Sequence, residues 1–272
     1  MSEEGRNAGN AGAGAATERG QPGLVPERSP GLVPACKFSY CPGCSHTVSN
    51  RLLGQVIEEM GIKDRAILVG PVGCSEMVVF YIDVDSVSAS HGRAPAVAVG
   101  LKRCLPDRVV FTHQGDGDFA AIGIAEALSA AQLGESVTLI WVNNANYGMT
   151  GGQMGPGTLL GQRTKTTPEG REAKAAGSPF HASEMLAALP GVAYVERVAT
   201  HTPAHIQRTK QAIRRAFEVQ LEGRGLSVVE VLGVCPTGWG MSVKEAFQWY
   251  QEHLLVEFPL GRLADRTGPT GS

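Results

Sequence analysis

Two aspartates stand among glycines in the segment QGDGDFAAIG, residues 114–123. The segment follows the apolar run RVVFT and precedes a helix-like stretch, so Gly115, Asp116, Gly117 and Asp118 fall on a strand-to-helix turn. Backbone N–H groups at such a turn can approach an anionic ligand, because the start of a helix is electropositive. The carboxylates would repel a bare phosphate, so the pattern predicts a divalent cation between Asp116 and the ligand.

A second polar segment, NNANYGMTGGQ, follows the next apolar run, SVTLIWV. Asn144 lies 28 positions after Asp116, and one helix and one strand separate them, so a βαβ crossover would bring both to adjacent strand ends. The Asn144 amide and the Asn146 carbonyl add two oxygens to the carboxylate, which suits Mg²⁺ completed by phosphate oxygens and water. The structural alternative is a glycine-rich turn beside a polar strand end, with no ligand.

The cysteines form an independent pattern. Cys41 and Cys44 make a CPGC pair ahead of the first predicted helix, while Cys74 and Cys235 each follow a predicted strand. A CxxC pair alone could also be a redox dithiol, but the two scattered thiols do not fit that motif. Four thiolates on one rim suit zinc or a cubane iron–sulfur cluster, and the spacing does not separate these two.

Other side chains near these segments are weaker candidates. His91 and Arg93 precede a predicted helix in HGRAPAV, where they either face a phosphate or form the entry to the helix. The hydroxyl of Ser75 could donate to a phosphate oxygen. We expect the two remaining thiols, Cys36 and Cys104, to be structural.

Alternating helical and strand patterns would position all of these residues. Strands are predicted at 66–70, 108–112, 136–142, 193–199 and 226–232, and helices at 45–60, 94–105, 119–133, 181–189, from 203 and from 242. The strands are almost continuously apolar, which is typical of a parallel sheet covered on both faces. We therefore predict a doubly wound α/β fold with a mainly parallel sheet, whose strand carboxyl ends carry the polar segments.

A loop of about 35 residues separates the strand at 136–142 from the helix at 181–189. Such length is unusual in a compact domain, so we expect this loop to be functional or to be ordered by a partner. Residues 1–35 are expected to form a disordered Gly/Ala/Pro-rich tail, residues 36–258 the folded domain and residues 259–272 a flexible C-terminal tail.

Composition limits the classes of function. With 272 residues, 43% of them hydrophobic, and a net charge of −2, the chain can bury a full core and does not suit nucleic acid or a membrane surface. No apolar run approaches the roughly 18 residues of a membrane span, and no secretory signal is evident. We therefore expect a cytoplasmic protein whose cysteines are not disulfide-bonded.

GDG followed by N or NN after about 25–30 residues is the thiamine diphosphate fingerprint, and NYGMTGGQ resembles the thiamine-binding β subunits of 2-oxoacid:ferredoxin oxidoreductases. The resemblance spans about residues 38–255. It implies that Asp116, Asn144 and the Asn146 carbonyl bind Mg²⁺. In that family a CPGC pair, a GC after the next strand and a CP near the end of the chain hold a 4Fe-4S cluster. The matching cysteines here are Cys41, Cys44, Cys74 and Cys235. The implied thiamine diphosphate contacts are Cys74, Ser75, His91, Gly115, Asp116, Gly117, Asp118, Asn144, Asn146, Gly148, Met149 and Thr150.

The resemblance also implies an activity and partners. The reaction would be oxidative decarboxylation of a 2-oxo acid to an acyl-coenzyme A, with reduction of ferredoxin. Pyruvate-specific relatives carry Asn where this chain has Met149, so 2-oxoisovalerate is favoured and 2-oxoglutarate comes next. No catalytic acid is expected in this chain, because the activating glutamate of this family lies on an α subunit, and γ and ferredoxin-like δ subunits complete the complex.

Two other functions fit parts of the pattern. One is a non-redox thiamine diphosphate decarboxylase or synthase subunit, in which the cysteines would be incidental. The other is a non-catalytic scaffold that zinc stabilises, which would bind no thiamine diphosphate. The metal, sulfide and thiamine content of the protein distinguishes all three.

Overall fold

The computed structural model describes residues 31–33 and 36–268. Within these residues one sheet of seven strands has the order β2-β1-β3-β4-β6-β5-β7. The strands are β1 (Ala66–Gly70), β2 (Asp85–Ser88), β3 (Val109–Gly115), β4 (Thr138–Asn143), β5 (Val192–Ala199), β6 (Leu226–Leu232) and β7 (Gly261–Asp265). The helices are α1 (Ser45–Glu59), α2 (Ala94–Cys104), α3 (Ile124–Leu133), α4 (Ala173–Ala176), α5 (Ala182–Ala187), α6 (Pro203–Leu221), α7 (Pro236–Trp239), α8 (Val243–Trp249) and α9 (Leu255–Glu257).

Neighbouring strands run parallel, apart from the antiparallel pair β5 and β7. The chain leaves β1 for β2 on one side and then returns to pair β3 on the other side of β1. The strand order therefore reverses between β1 and β3, and the turns that follow these two strands face each other across a crevice. Ligands bind at such crevices in open α/β sheets.

Helices cover both faces of the sheet, as predicted. Ile57 of α1 and Phe217 of α6 belong to the same buried core as Phe111 of β3. The preceding residue of β3, Val110, belongs to the opposite core together with Ala131 of α3. Successive strand side chains thus enter different cores, which explains why the strands are apolar throughout. The doubly wound, mainly parallel α/β fold is confirmed.

Helix starts follow their capping signals. The Thr202 hydroxyl accepts a hydrogen bond from the backbone N–H of His205 at the start of α6, where Pro203 is the first helical residue. Ser242 and Glu245 form the predicted capping box of α8.

The expectation of a flexible tail from residue 259 is wrong for residues 261–265. These residues form β7, which pairs with β5, for example Tyr194 with Asp265. The Arg266 guanidinium then donates to the carbonyl of Ala187 at 2.8 Å, which fastens the segment to α5. β7 carries few buried side chains, so backbone pairing rather than an apolar pattern holds it.

The predicted N-terminal tail of residues 1–35 lies mostly outside the described residues. Of the described part, Leu32 is only 2% exposed and forms a bridge with Ile82. Its side chain belongs to the core beneath α1, so the fold begins before residue 36. None of the helices within the described ranges is long and apolar enough to cross a membrane.

The long loop after β4 is held by internal hydrogen bonds. Arg171 is 6% exposed, and its guanidinium lies at the centre of the loop. It donates to five backbone carbonyls, those of Pro156, Thr158, Ala176, Gly177 and Ser178. One buried cation thus satisfies backbone carbonyls that regular secondary structure would otherwise pair.

Candidate active site at the β1–β3 crevice

A cleft with about 430 Å³ of open volume lies at the β1–β3 crevice. The structure brings together every residue that the sequence predicts as a cofactor contact, since the lining includes Cys74, Ser75, His91, Gly115, Asp116, Gly117, Asp118, Asn144, Asn146, Gly148, Met149 and Thr150. Their role as contacts stays a prediction. The lining residues that sequence reasoning missed are His46, Val72, Gly73 and Tyr147. Gly73 and Tyr147 directly adjoin predicted residues, and Val72 and His46 lie two positions from Cys74 and Cys44, so proximity in the sequence was the available signal.

Asp116 directly follows β3 and begins the π-helical turn Gly117–Ile122. Its carboxylate accepts hydrogen bonds from the backbone N–H groups of Gly117 at 2.7 Å and Asn146 at 3.1 Å, and the residue is 3% exposed. Burial raises the pKa of this carboxyl to about 7, although the N–H groups favour the charged form. A cation at this position would restore the stability of the charged carboxylate.

The turn after β4 supplies the other proposed ligands. Ala145 has a φ of +57°, a left-handed conformation that no other non-glycine among the described residues adopts. The Asn144 side-chain oxygen, Oδ1, is buried and has no hydrogen-bond partner within the part of the chain that the structure describes. The Asn144 carbonyl is already used, because Trp239 Nε1 donates to it at 2.9 Å. An unpaired buried oxygen costs free energy, so Asn144 Oδ1 is suited to a cation.

Glycines allow close approach beside Asp116. A Cβ on Gly117 would lie 2.0 Å from Cε1 of Tyr147, so only glycine lets this ring pack against the turn. A Cβ on Gly115 would lie 3.4 Å from Ser75 Oγ. The Ser75 hydroxyl is buried without a partner, which leaves it available to an anionic oxygen.

Asp118 has a different role from Asp116. Its carboxylate accepts hydrogen bonds from Gly92 N at 2.9 Å, Gln114 Nε2 at 2.6 Å and Val72 N at 3.3 Å, and it also contacts the His91 ring. These donors come from the turn after β1, the entry to α2 and the end of β3. Asp118 therefore holds the walls of the cleft together, and its oxygens are occupied by protein donors.

His91 lines the cleft, whereas its neighbour Arg93 does not. The Arg93 guanidinium instead pairs with Glu126 of α3. Of the two roles predicted for this segment, facing a phosphate or forming the entry to the helix, Arg93 has the second. On the opposite rim Met149 is 54% exposed, so its apolar side chain is free to meet a substrate or a partner.

The four cysteines predicted as cluster ligands lie on the same side of the molecule. A Cβ on Gly148 would lie 3.3 Å from Cys235 Sγ and 3.7 Å from Cys74 Sγ, so both thiols flank one glycine. Burial, together with the nearby Cys235, Cys74 and Cys41, raises the pKa of Cys44 to about 12. Burial likewise raises the pKa of Cys235 to about 11. The reactive thiol of a redox dithiol has a lowered pKa, so Cys44 does not resemble such a thiol.

The described residues contain no group of three His, Cys, Asp or Glu side chains close enough to hold a single metal ion. A tetrahedral zinc site needs its sulfurs within about 2.3 Å of one ion, whereas a cubane places one thiolate on each iron and spaces them more widely. The other two thiols, which were expected to be structural, differ from each other. Cys36 packs against the core, whereas Cys104 is exposed at the end of α2.

Comparison with known proteins agrees with this geometry. Residues 71–231 match the family model of the thiamine pyrophosphate enzyme, C-terminal TPP binding domain. The chain is 43% identical over 231 residues to the ketoisovalerate oxidoreductase subunit VorA of Methanothermobacter thermautotrophicus, covering 85% of this chain and 48% of that protein. It is 34% identical over 198 residues to the 2-oxoglutarate synthase subunit KorB of Archaeoglobus fulgidus, covering 73% of this chain and 70% of that protein.

A solved structure shares the fold. The 2-oxoglutarate:ferredoxin oxidoreductase of Magnetococcus marinus, with 2-oxoglutarate, coenzyme A and succinyl-CoA bound, superposes with a TM-score of 0.70 at 23% identity, over 87% of this chain and 84% of that one. The chain spans about half the length of the ketoisovalerate relatives and 70% of the 2-oxoglutarate relative. The family match and these relatives place the chain among the thiamine pyrophosphate-binding subunits of the 2-oxoacid:ferredoxin oxidoreductase family.

Proposed function

We propose that this chain binds Mg²⁺, thiamine diphosphate and a 4Fe-4S cluster, and that with partner subunits it oxidatively decarboxylates a 2-oxo acid to an acyl-coenzyme A while reducing ferredoxin. Thiamine diphosphate, when bound, supplies the carbanion chemistry that this decarboxylation needs. The contribution of the chain is to bind the cofactor, orient it and tune its surroundings.

One observation carries the cofactor assignment. The buried, unpaired Asn144 Oδ1 and the buried Asp116 carboxylate stand on turns that a hydrogen bond joins, from Asn146 N to Asp116 Oδ2. Neither group has a positively charged partner among the described residues, and Mg²⁺ prefers oxygen ligands of these two kinds. The Asn146 carbonyl would complete the protein ligands, with the diphosphate over Gly115 and Gly117, and Ser75 donating to it.

The cluster assignment rests on Cys41, Cys44, Cys74 and Cys235. Their mutual electrostatic influence and the Gly148 backbone between two of them support a shared ligand. Thiols with raised pKa values are protonated in the absence of metal, so cluster assembly would release protons. A one-electron carrier beside the thiamine site matches the ferredoxin-linked names of two similar proteins.

The partners follow from what the cleft lacks. Its lining contains Asp116 and Asp118 but, within the described residues, no glutamate that could activate the cofactor. We therefore assign the activating glutamate and the substrate contacts to an α subunit that covers the cleft, with γ and ferredoxin-like δ subunits carrying electrons to ferredoxin. Free thiols are typical of a reducing compartment, which supports a cytoplasmic location.

The favoured substrate is 2-oxoisovalerate, with 2-oxoglutarate next. Identity to the ketoisovalerate relative, 43%, exceeds identity to the 2-oxoglutarate relative, 34%. Met149 is apolar and exposed at the rim. It would contact the branched aliphatic side chain of 2-oxoisovalerate more favourably than the second carboxylate of 2-oxoglutarate. Comparing turnover of both acids by the assembled complex tests the preference.

The cofactor site is tested by two substitutions. Asp116→Ala should abolish Mg²⁺-dependent binding of thiamine diphosphate, because the diphosphate would lose its bridging cation, and Asn144→Ala should weaken it. Calorimetric titration with thiamine diphosphate at saturating Mg²⁺ measures both. Asp107→Ala, an exposed aspartate in a turn before β3, is the matched control and should bind normally. Unchanged affinity in both site variants would refute the assignment.

A further inference from the structure

A series of buried polar side chains, linked by hydrogen bonds, lies behind the turn after β4. Contact with a cofactor does not explain why these side chains are polar. Asn143, the last residue of β4, is 0% exposed, and its Nδ2 donates to Glu230 Oε1 at 2.8 Å. The second carboxylate oxygen of Glu230 accepts from Arg197 Nε at 2.8 Å. Both charged side chains are 0% exposed, on neighbouring strands β6 and β5. A buried ion pair is costly to maintain, and an apolar pair would serve the fold as well.

At its other end this series of polar side chains contacts the turn after β4. Asn143 Oδ1 accepts a hydrogen bond from the backbone N–H of Ala145 at 3.3 Å. Ala145 is the residue with a φ of +57°, which a side-chain-bearing residue keeps only when its surroundings hold it. From the opposite side Thr158 Oγ1 donates to the Ala145 carbonyl at 2.6 Å. Both peptide groups of Ala145 are therefore fixed.

The position of Asn143 is itself tightly set. A Cβ on Gly157 would lie 2.5 Å from Asn143 Oδ1, so the backbone of the long loop presses on the amide. Arg197 is anchored beyond Glu230, because it also pairs with Glu184 at 2.6 Å and lies 5.3 Å from the ring centre of Phe258. The series of polar contacts from Arg197 through Glu230 and Asn143 to Ala145 thus fixes the side-chain amide of Asn143 in one orientation.

We propose that Asn143, held by the Glu230–Arg197 pair, is a positioning residue that keeps Asn144 Oδ1 and the Asn146 carbonyl facing the cation. The inference rests on the proposed function, since it concerns the Mg²⁺ site assigned there. Asn143 touches neither cation nor cofactor. It acts by holding Ala145 in the left-handed conformation, which turns the two flanking residues toward Asp116. Partners of this kind change metal affinity by about 10- to 100-fold when removed.

The test measures the apparent affinity for Mg²⁺ at saturating thiamine diphosphate, by calorimetry on the full chain. Asn143→Ala should weaken Mg²⁺ binding by at least about tenfold. Asn143→Asp should weaken it as well, because the new carboxylate would face that of Glu230. The exchange variant Asn143→Asp/Glu230→Gln should restore it, since carboxylate and amide change places and every donor again meets an acceptor.

Gln220→Ala is the matched control. Its amide is equally buried and donates to the Val110 carbonyl at 2.6 Å, but it does not line the cleft. Thermal unfolding of each cofactor-free variant separates loss of stability from loss of affinity. If Asn143→Ala does not fold, the Mg²⁺ affinities of Asn143→Asp and of the exchange variant test the inference instead, because the exchange variant keeps the buried hydrogen bonds.

The outcomes separate this inference from the proposed function. If the unmodified chain binds no Mg²⁺ and thiamine diphosphate, the proposed function fails and the inference with it. If the unmodified chain binds and Asn143→Ala binds Mg²⁺ as well as Gln220→Ala does, only the inference is overturned. Tighter Mg²⁺ binding by Asn143→Asp would also overturn it. The added negative charge would then determine the Mg²⁺ affinity, and the position of the turn would not.

Discussion

The backbone N–H of Asn146 donates to Oδ2 of Asp116 at 3.1 Å, which ties the turn after β4 to the end of β3. The two residues are 30 positions apart in the chain, and both are proposed ligands of the same cation. Their hydrogen bond means that the protein part of the site is assembled before the cation arrives. A site that is formed in advance loses little conformational freedom on binding.

Binding of Mg²⁺ should depend on pH through Asp116. Its pKa of about 7 in the cation-free protein means that the carboxyl is largely protonated below pH 7, and a cation must then displace the proton. Mg²⁺ affinity should fall by roughly tenfold per pH unit below about pH 7. Calorimetric titrations across this range, corrected for the titration of the diphosphate itself, measure the slope. An affinity independent of pH after that correction would contradict the burial of an uncompensated carboxylate.

Acid should destabilise the fold through His113. Burial lowers its pKa from 6.5 to about 3, and its ring is fully buried beside Ser49. The unfolded chain therefore binds the proton first as pH falls, so this contribution is complete above pH 6.5 and is lost toward pH 3.

The variant His113→Gln isolates that contribution. Between about pH 7 and pH 4.5 the unmodified protein should lose about 3 kcal/mol more of its free energy of unfolding than the variant does. Urea unfolding at both pH values measures the difference. Asp116 titrates over the same interval with the opposite sign, but it does so in both proteins and cancels in the comparison. Equal losses in both would show that His113 is protonated in the folded protein.

The four proposed cluster ligands should respond alike. Replacing any one of Cys41, Cys44, Cys74 or Cys235 by Ala should remove or degrade the cluster, because each iron of the cubane needs its thiolate. Iron and acid-labile sulfide per chain, together with the visible absorption of anaerobic protein, measure the loss. Cys104→Ala is the control, since its thiol is exposed at the end of α2. Full sulfide content in any of the four variants would remove that cysteine from the ligand set.

The chain should be catalytically incomplete alone. Its cleft lacks a lining glutamate among the described residues, and we propose that a partner subunit supplies the activating one. Supplied with Mg²⁺, thiamine diphosphate, an intact cluster, 2-oxoisovalerate, coenzyme A and an electron acceptor, the purified chain should turn over far more slowly than the co-expressed complex. Comparable rates would require an activating acid within this chain.

Apolar patterning predicted most of the sheet. The bounds of β1 and β6 agree with prediction, because AILVG and LSVVEVL are apolar runs between turn signals. β2 and β7 escaped prediction because they lie at the edges of the sheet. The four residues of β2 are all exposed, so no buried face imposes a pattern on DSVS, and backbone pairing holds both strands.

Residue type and spacing identified the lining of the cleft but not what supports it. Asn143 and Glu230 are 87 positions apart, and their contact depends on β4 lying beside β6. One signal was present in the sequence: Glu230 interrupts the apolar run LSVVEVL, and Arg197 interrupts AYVERVA. Charged residues in strands buried on both faces require partners. The role of Arg171 had no such signal, because its acceptors are backbone carbonyls.

The most direct measurement of the central claim is the cofactor content of protein purified without oxygen. The account predicts thiamine diphosphate and magnesium in equal amounts, with iron and acid-labile sulfide in equal amounts to each other, and loss of the thiamine and magnesium but not of the iron in Asp116→Ala. A non-redox thiamine enzyme would contain thiamine diphosphate and magnesium without sulfide. Stoichiometric zinc with neither sulfide nor thiamine diphosphate would contradict the account.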